Sequence, residues 1–145
     1  MYFVDREKIE KTLVCLEDLL TLFNNHSKWD SIIEKKALER IVHISIEAIL
    51  DVGNDMIDGF IMRDPGSYED IIDILEDEKV VISEHAIRLK NIVKLRKDIV
   101  QDYLEINHNE ISLAMTENIA AINLFSTSVR TYLENELGPV SAFKK

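Results

Sequence analysis

The amino-acid sequence predicts an all-α fold, an antiparallel helical bundle of four long helices and one short one. Three observations carry that prediction. Apolar residues recur at three-and-four spacing over long windows, as in Ile9, Leu13, Leu16, Leu20 and Phe23. Only 4 Gly and 2 Pro interrupt 145 residues, and they do not fall at the short regular intervals of a strand sandwich. Asp or Ser stands just ahead of several apolar rows, where a side-chain oxygen can take the free amides of a helix start. The length suits one domain, so residues 1–145 are expected to form a single unit with 139–145 as a short tail.

Helix one is expected from Arg6 to Asn24, capped by Asp5. A polar connection then leads to Ser31, which with Glu34 makes a capping box opening helix two. Ile33, Ala37, Ile41, Ile44, Ala48 and Val52 mark the apolar face of helix two, and Gly59 is its expected left-handed terminator. Gly53 costs roughly 1 kcal/mol relative to Ala inside a helix, which suggests close packing there or, equally, a tolerated defect. Arg63 to Gly66 is a turn signal with Pro65 fixing φ. A short helix follows from Ser67 to about Glu78, with Ile71, Ile72 and Leu75 inward. After a linker at Lys79 to Ile82, Ser83 is the expected cap of a helix four reaching about Ile106. Helix five is expected from Asn109, with Ile111, Met115, Ile119, Ile122, Phe125, Val129 and Leu133 as its stripe, and Gly138 with Pro139 as its stop.

The formal net charge of −10 repels phosphate backbones at long range, so the chain is not expected to bind DNA, and any RNA contact needs a local basic patch. The single Cys15 cannot form an internal disulfide and, among Leu13, Val14 and Leu16, reads as a small buried hydrophobe. Charges in Met1 to Lys11 break up any signal-peptide core, and no uncharged stretch is long enough to span a bilayer. The expected compartment is the cytoplasm, with no membrane partner.

Helix four carries a basic cluster of Arg88, Lys90, Lys94, Arg96 and Lys97, with no acid between His85 and Lys97. Such a row is either a solvated face paired to acids on neighbouring helices or a phosphate-binding strip, with Lys94 and Lys97 the natural phosphate contacts. Arg96 falls on an apolar row with Leu89, Ile92, Val93, Val100 and Tyr103, where an unpaired guanidinium would cost several kcal/mol. Asp51 and Asp55 on helix two are its expected partners, forming an Asp–Arg–Tyr cluster with Tyr103. The Asp pair lacks a third ligand at suitable spacing, so no metal is expected. On an ideal helix Gln101 lies about 140° round from Arg96. For Arg96, Gln101 and Tyr103 to act together, helix four must be wrapped from two sides or meet a second subunit. Its apolar circumference (Ile87, Leu89, Ile92, Val93, Leu95, Ile99 and Val100) also suggests a homodimer.

The run from Leu95 to Tyr103 resembles the Arg-x4-His-x-Tyr signature of the HepT-like family, the helical toxins related to HEPN proteins. Glu47 to Asp51 with Gly53 to Ile57 resembles that family's second-helix segment, and Asp64 to Tyr68 its central connection. The tail from Leu137 to Phe143 is similar to that of a small Gram-positive subgroup. The resemblance implies a dimerising helical bundle and a metal-independent endoribonuclease, with no cofactor. It also implies a partner, an MntA-like nucleotidyltransferase antitoxin that adenylylates the motif tyrosine. By that likeness Arg96 would hold phosphate, Gln101 would occupy the catalytic histidine's place, and Tyr103 would be the modified hydroxyl. Glutamine cannot exchange a proton near pH 7, whereas histidine can. None of His26, His43, His85 and His108 compensates by position in the sequence. Two readings follow: a ribonuclease toxin of weakened activity, or a non-catalytic dimeric module binding a nucleotide, an RNA or a protein.

Overall fold

The computed structural model describes residues 3–138; Pro139 and the tail to Lys145 lie outside them. Among these residues the fold is all-helical, with no strand. The elements are α1 (Arg6–Asn24), α2 (Ile32–Gly59), α3 (Tyr68–Asp77), α4 (Ser83–Val93), a π turn (Lys97–Gln101), a 3-10 turn (Tyr103–Glu105) and α5 (His108–Leu137). α1 packs on α2 and α4 on α5, while α3 wedges between α2 and α4.

The local signals mostly act as expected. Asp5 accepts from the Lys8 amide, and Ser31 and Glu34 close a reciprocal capping box at α2. Ser67 caps α3 through the Asp70 amide. All five stripe residues of α1 are buried, as are Ile71, Ile72 and Leu75 of α3 and all but half-buried Ile119 of the α5 row. Such side chains contribute roughly 1.5–3 kcal/mol each before entropy is counted. Gly53 is the point where α2 meets α3: a Cβ added there would collide with the Ile71 side chain.

Other expectations need correction. α4 is capped at Ile82, and the Ser83 hydroxyl instead donates to Glu76 at 2.6 Å. α5 starts at His108 with Asn107, not Asn109, at its cap. Gly59 is still helical; the left-handed residue is Ile61, with φ 57°. Gly59 is required by close approach, because a Cβ would sit 2.7 Å from Val4 where the N-terminal segment crosses α2. Ile33 is exposed, since the core begins a turn further on at Leu38. Cys15 is exposed because it lies on the opposite side of α1 from the row Leu13, Leu16 and Leu20. Ile87 on α4 is also exposed.

The largest departure is in helix four. It ends at Val93, and the chain continues through a widened turn in which the Asp102 amide reaches back five residues to the Lys97 carbonyl at 3.0 Å. This π turn buries Ile99 and delivers the following 3-10 turn to the surface.

Candidate active site

The π turn decides the geometry of the expected site. Where hydrogen bonds join residues five apart the turn is wider, so positions five apart lie much nearer one face than at the separation of about 140° on an ideal α-helix. Gln101 is thereby swung back towards Arg96. The two line one shallow cleft of about 370 Å³ with Ser67, Tyr68 and the carboxylate-bearing Glu69 from the start of α3 and with Val93, Lys94 and Lys97. A single subunit suffices to bring Arg96 and Gln101 together, without a second protein surface wrapping the helix.

Arg96 does not pair with Asp51 or Asp55. Its Nε donates to Glu47 Oε1 at 2.8 Å, one turn before Asp51 on α2. Its guanidinium carbon lies 4.5 Å from the centre of the Tyr68 ring, a cation–π contact. The bond to Glu47 holds the guanidinium firmly protonated, against the smaller opposing effect of desolvation. The cluster is therefore Glu47–Arg96–Tyr68. The expected cluster named the right helix but the wrong turn of it, and the wrong tyrosine. Tyr103, in the 3-10 turn, is 63% exposed and does not line the Arg96 cleft.

Asp55 instead takes Lys8 of α1 at 3.3 Å. Asp51 lies in the groove between α1 and α2 with no ion pair among the described residues; desolvation first, then the charges of Glu47 and Asp55, push its carboxyl up, with Lys8 partly opposing. Among the described residues no group of three potential ligands could hold a metal ion.

The basic cluster divides. Lys90 is a structural cation, bonded to Asp73 of α3 at 2.8 Å. Lys94 and Lys97 are exposed and have no carboxylate within ion-pair distance among the described residues, so their charge is open to a ligand on the cleft rim.

Two residues of this neighbourhood were not singled out from the sequence. In the sequence Tyr68 marks the family's central connection and the first turn of a short helix, with no role at the site. His43 was set aside, yet its Nε2 lies 3.5 Å from Glu47 Oε1, the oxygen that also takes Arg96. The signal was present: Glu39, His43, Glu47, Asp51 and Asp55 repeat every four residues and form one polar stripe along α2. That stripe also holds His108 of α5, whose Nε2 is 2.7 Å from Glu39.

The family described as ribonuclease HepT-like matches residues 9–129, spanning α1 to most of α5. The chain belongs to the HepT-like family. It is 55% identical over 144 residues to the Bacillus subtilis (strain 168) protein named "Putative RNase YutE", covering 99% of this chain and 100% of that one. The solved structure of YutE, described as a cytosolic protein, superposes with a TM-score of 0.95 over 99% of this chain and 100% of its own. A HepT-like fold is also shared, at 16% identity and a TM-score of 0.75, with the tri-AMPylated Shewanella oneidensis HEPN toxin solved in complex with its MNT antitoxin. That match covers 85% of this chain and 96% of the toxin. Among the described residues, no helix of this HepT-like chain is long and apolar enough to cross a membrane.

Proposed function

We propose that the chain is a HepT-type ribonuclease that binds single-stranded RNA in the Arg96 cleft and cleaves it weakly. The observation that carries this reading is the state of Arg96. Among the described residues it is held by Glu47 through Nε alone and stacked on Tyr68, and both terminal nitrogens are left to meet a phosphate. Lys94 and Lys97 flank it, and the half-exposed Tyr68 ring offers a face for an unpaired base. Weakness follows from Gln101, which can hydrogen-bond a substrate but cannot carry its proton.

The functional unit in this reading is a homodimer, with the exposed Tyr103 and Leu104 on the surface beside the cleft as candidate contacts. Its partner is an MntA-like nucleotidyltransferase, and Tyr103 is the acceptor of the adenylyl group. The exposed phenol supports this, as does the likeness of fold to a toxin solved in its AMPylated form with an antitoxin.

The deciding experiment incubates the purified chain and Arg96→Ala with labelled single-stranded RNA. Slow cleavage by wild type that disappears in the variant is expected. RNA binding without cleavage would leave a non-catalytic module, and no binding at all would end the reading. For Tyr103, a mass increase of one adenylyl group after incubation with the transferase and ATP is expected, and its absence in Tyr103→Phe locates it.

A further inference from the structure

We propose that His43 is the proton acceptor of the residual cleavage, supplying the chemistry that Gln101 cannot; this rests on the ribonuclease reading of the Arg96 cleft. His43 stands one turn before Glu47 on α2. Glu47 Oε1 takes Arg96 Nε at 2.8 Å and lies 3.5 Å from His43 Nε2. One carboxylate oxygen thus bonds a phosphate-binding cation and stands within ion-pair distance of an imidazole. Both side chains reach solvent, at 21% exposure for Arg96 and 29% for His43. The other histidines are committed or remote: His26 to Glu34 at the opening of α2, His108 to Glu39, and His85 to the first turn of α4.

The arrangement has the logic of a carboxylate orienting an imidazole. In the tautomer that carries its proton on Nε2, the nitrogen 3.5 Å from Glu47, the lone pair resides on Nδ1. Nδ1 takes the proton of a ribose 2′-hydroxyl as the 2′-oxygen bonds to phosphorus and the bond from phosphorus to the 5′-oxygen breaks. The leaving 5′-oxygen takes a proton from water, and the imidazolium returns its own proton to solvent. The products are a 2′,3′-cyclic phosphate and a 5′-hydroxyl. Arg96 balances the charge on the phosphate in flight.

The charged neighbours of His43 on its own helix are Glu39 and Arg40, one turn before, and Glu47, one turn after. From packed elements come Arg96, His108 held on Glu39, and Lys8 and Lys11 of α1 on the far side of Glu47. The acceptor must be neutral to take the proton, so cleavage should rise with pH.

The test follows cleavage of a fluorescein-labelled single-stranded oligoribonucleotide by wild type, His43→Gln, His43→Ala and Arg96→Ala from about pH 5 to pH 8. Thermal melts and fluorescence anisotropy monitor folding and RNA binding. A loss of about tenfold or more in His43→Gln is expected, with its pH dependence flattened and RNA binding retained. Added imidazole should restore part of the activity of His43→Ala. A folded His43→Gln that cleaves as fast as wild type overturns the proposal. So does one that cleaves more slowly with the wild-type pH profile, because that marks a structural role only. Should Arg96→Ala abolish cleavage while His43→Gln keeps it, the ribonuclease reading stands and His43 alone falls. Should wild type not cleave at all, both fall.

Discussion

Arg130 and Arg96 are both arginines held by glutamates on another segment, and they are held in opposite ways. Arg130 of α5 makes four hydrogen bonds to Glu10 and Glu17 of α1, at 2.8 to 2.9 Å, and all three of its nitrogens are engaged. Its fork is filled by protein, and its role is to tie α5 to α1. Among the described residues Arg96 makes one hydrogen bond, to Glu47, and lays its face on Tyr68 while its two terminal nitrogens stay open. A planar guanidinium with five donors matches carboxylate or phosphate two bonds at a time. What separates a structural arginine from a candidate ligand-binding one is therefore how many donors the fold has already used. Position in the sequence does not reveal this, since each arginine simply lies near acids that some other helix supplies.

Substitution of both arginines gives the largest contrast. Arg96→Ala should reduce RNA cleavage by about a hundredfold or more, because phosphate positioning and charge stabilisation are lost together. Arg130→Ala should leave cleavage unchanged; equal losses in the two variants would break the comparison. Gln101→His should raise cleavage at pH 7 by about tenfold or more, the general acid–base contribution that histidine adds. No gain would mean that the cleft beside Arg96 does not present position 101 to the scissile phosphate. Tyr68→Ala should weaken binding of single-stranded RNA by about 1 kcal/mol or more, with Tyr68→Phe close to wild type, because stacking needs the ring and not the hydroxyl. Anisotropy titrations at fixed salt measure both.

Smaller effects fall on the structural side. Arg130→Ala should destabilise the fold by about 1 kcal/mol in chemical denaturation, since the pair is partly solvated and screened. The pH dependence of that loss sharpens the comparison. Hydrogen bonding from Arg130 chiefly holds the Glu17 carboxyl below its ordinary value, outweighing desolvation. A carboxylate lowered in the folded state stabilises above its unfolded value and loses that contribution as pH falls through the folded one. The melting difference between wild type and Arg130→Ala should thus be full near neutrality and shrink below about pH 4. A difference that grew on acidification would contradict this assignment.

Much of the scaffold was legible because its signals are local. The row Ile9, Leu13, Leu16, Leu20 and Phe23 repeats with the helix period, and Asp5, Ser31 and Ser67 each satisfy an amide three residues away. The candidate site was legible only in part. Arg96, Gln101, Lys94 and Lys97 were marked as a group, and the structure gathers them at one cleft. The partner was misread because Glu47, Asp51 and Asp55 repeat every four residues on one stripe of α2, and each could meet Arg96 at some axial offset between the helices. His43 was missed for the same reason: its relation to Arg96 passes through Glu47, which the expected pairing left out.

By itself the sequence determined which segments are helical, where most of them begin and which face of each is apolar. It also placed the chain among HepT-like proteins through the run from Arg96 to Tyr103. Only the tertiary structure decided that helix four breaks after Val93, that Arg96 chooses Glu47 and Tyr68, and that Gln101 shares its cleft. The physical reason is one of range. Periodicity and capping depend on residues within a turn of one another, whereas a widened turn shifts the angular phase of everything after it. The choice among three acids one turn apart depends on how far α2 has slid past its neighbours, and packing of the whole core sets that offset.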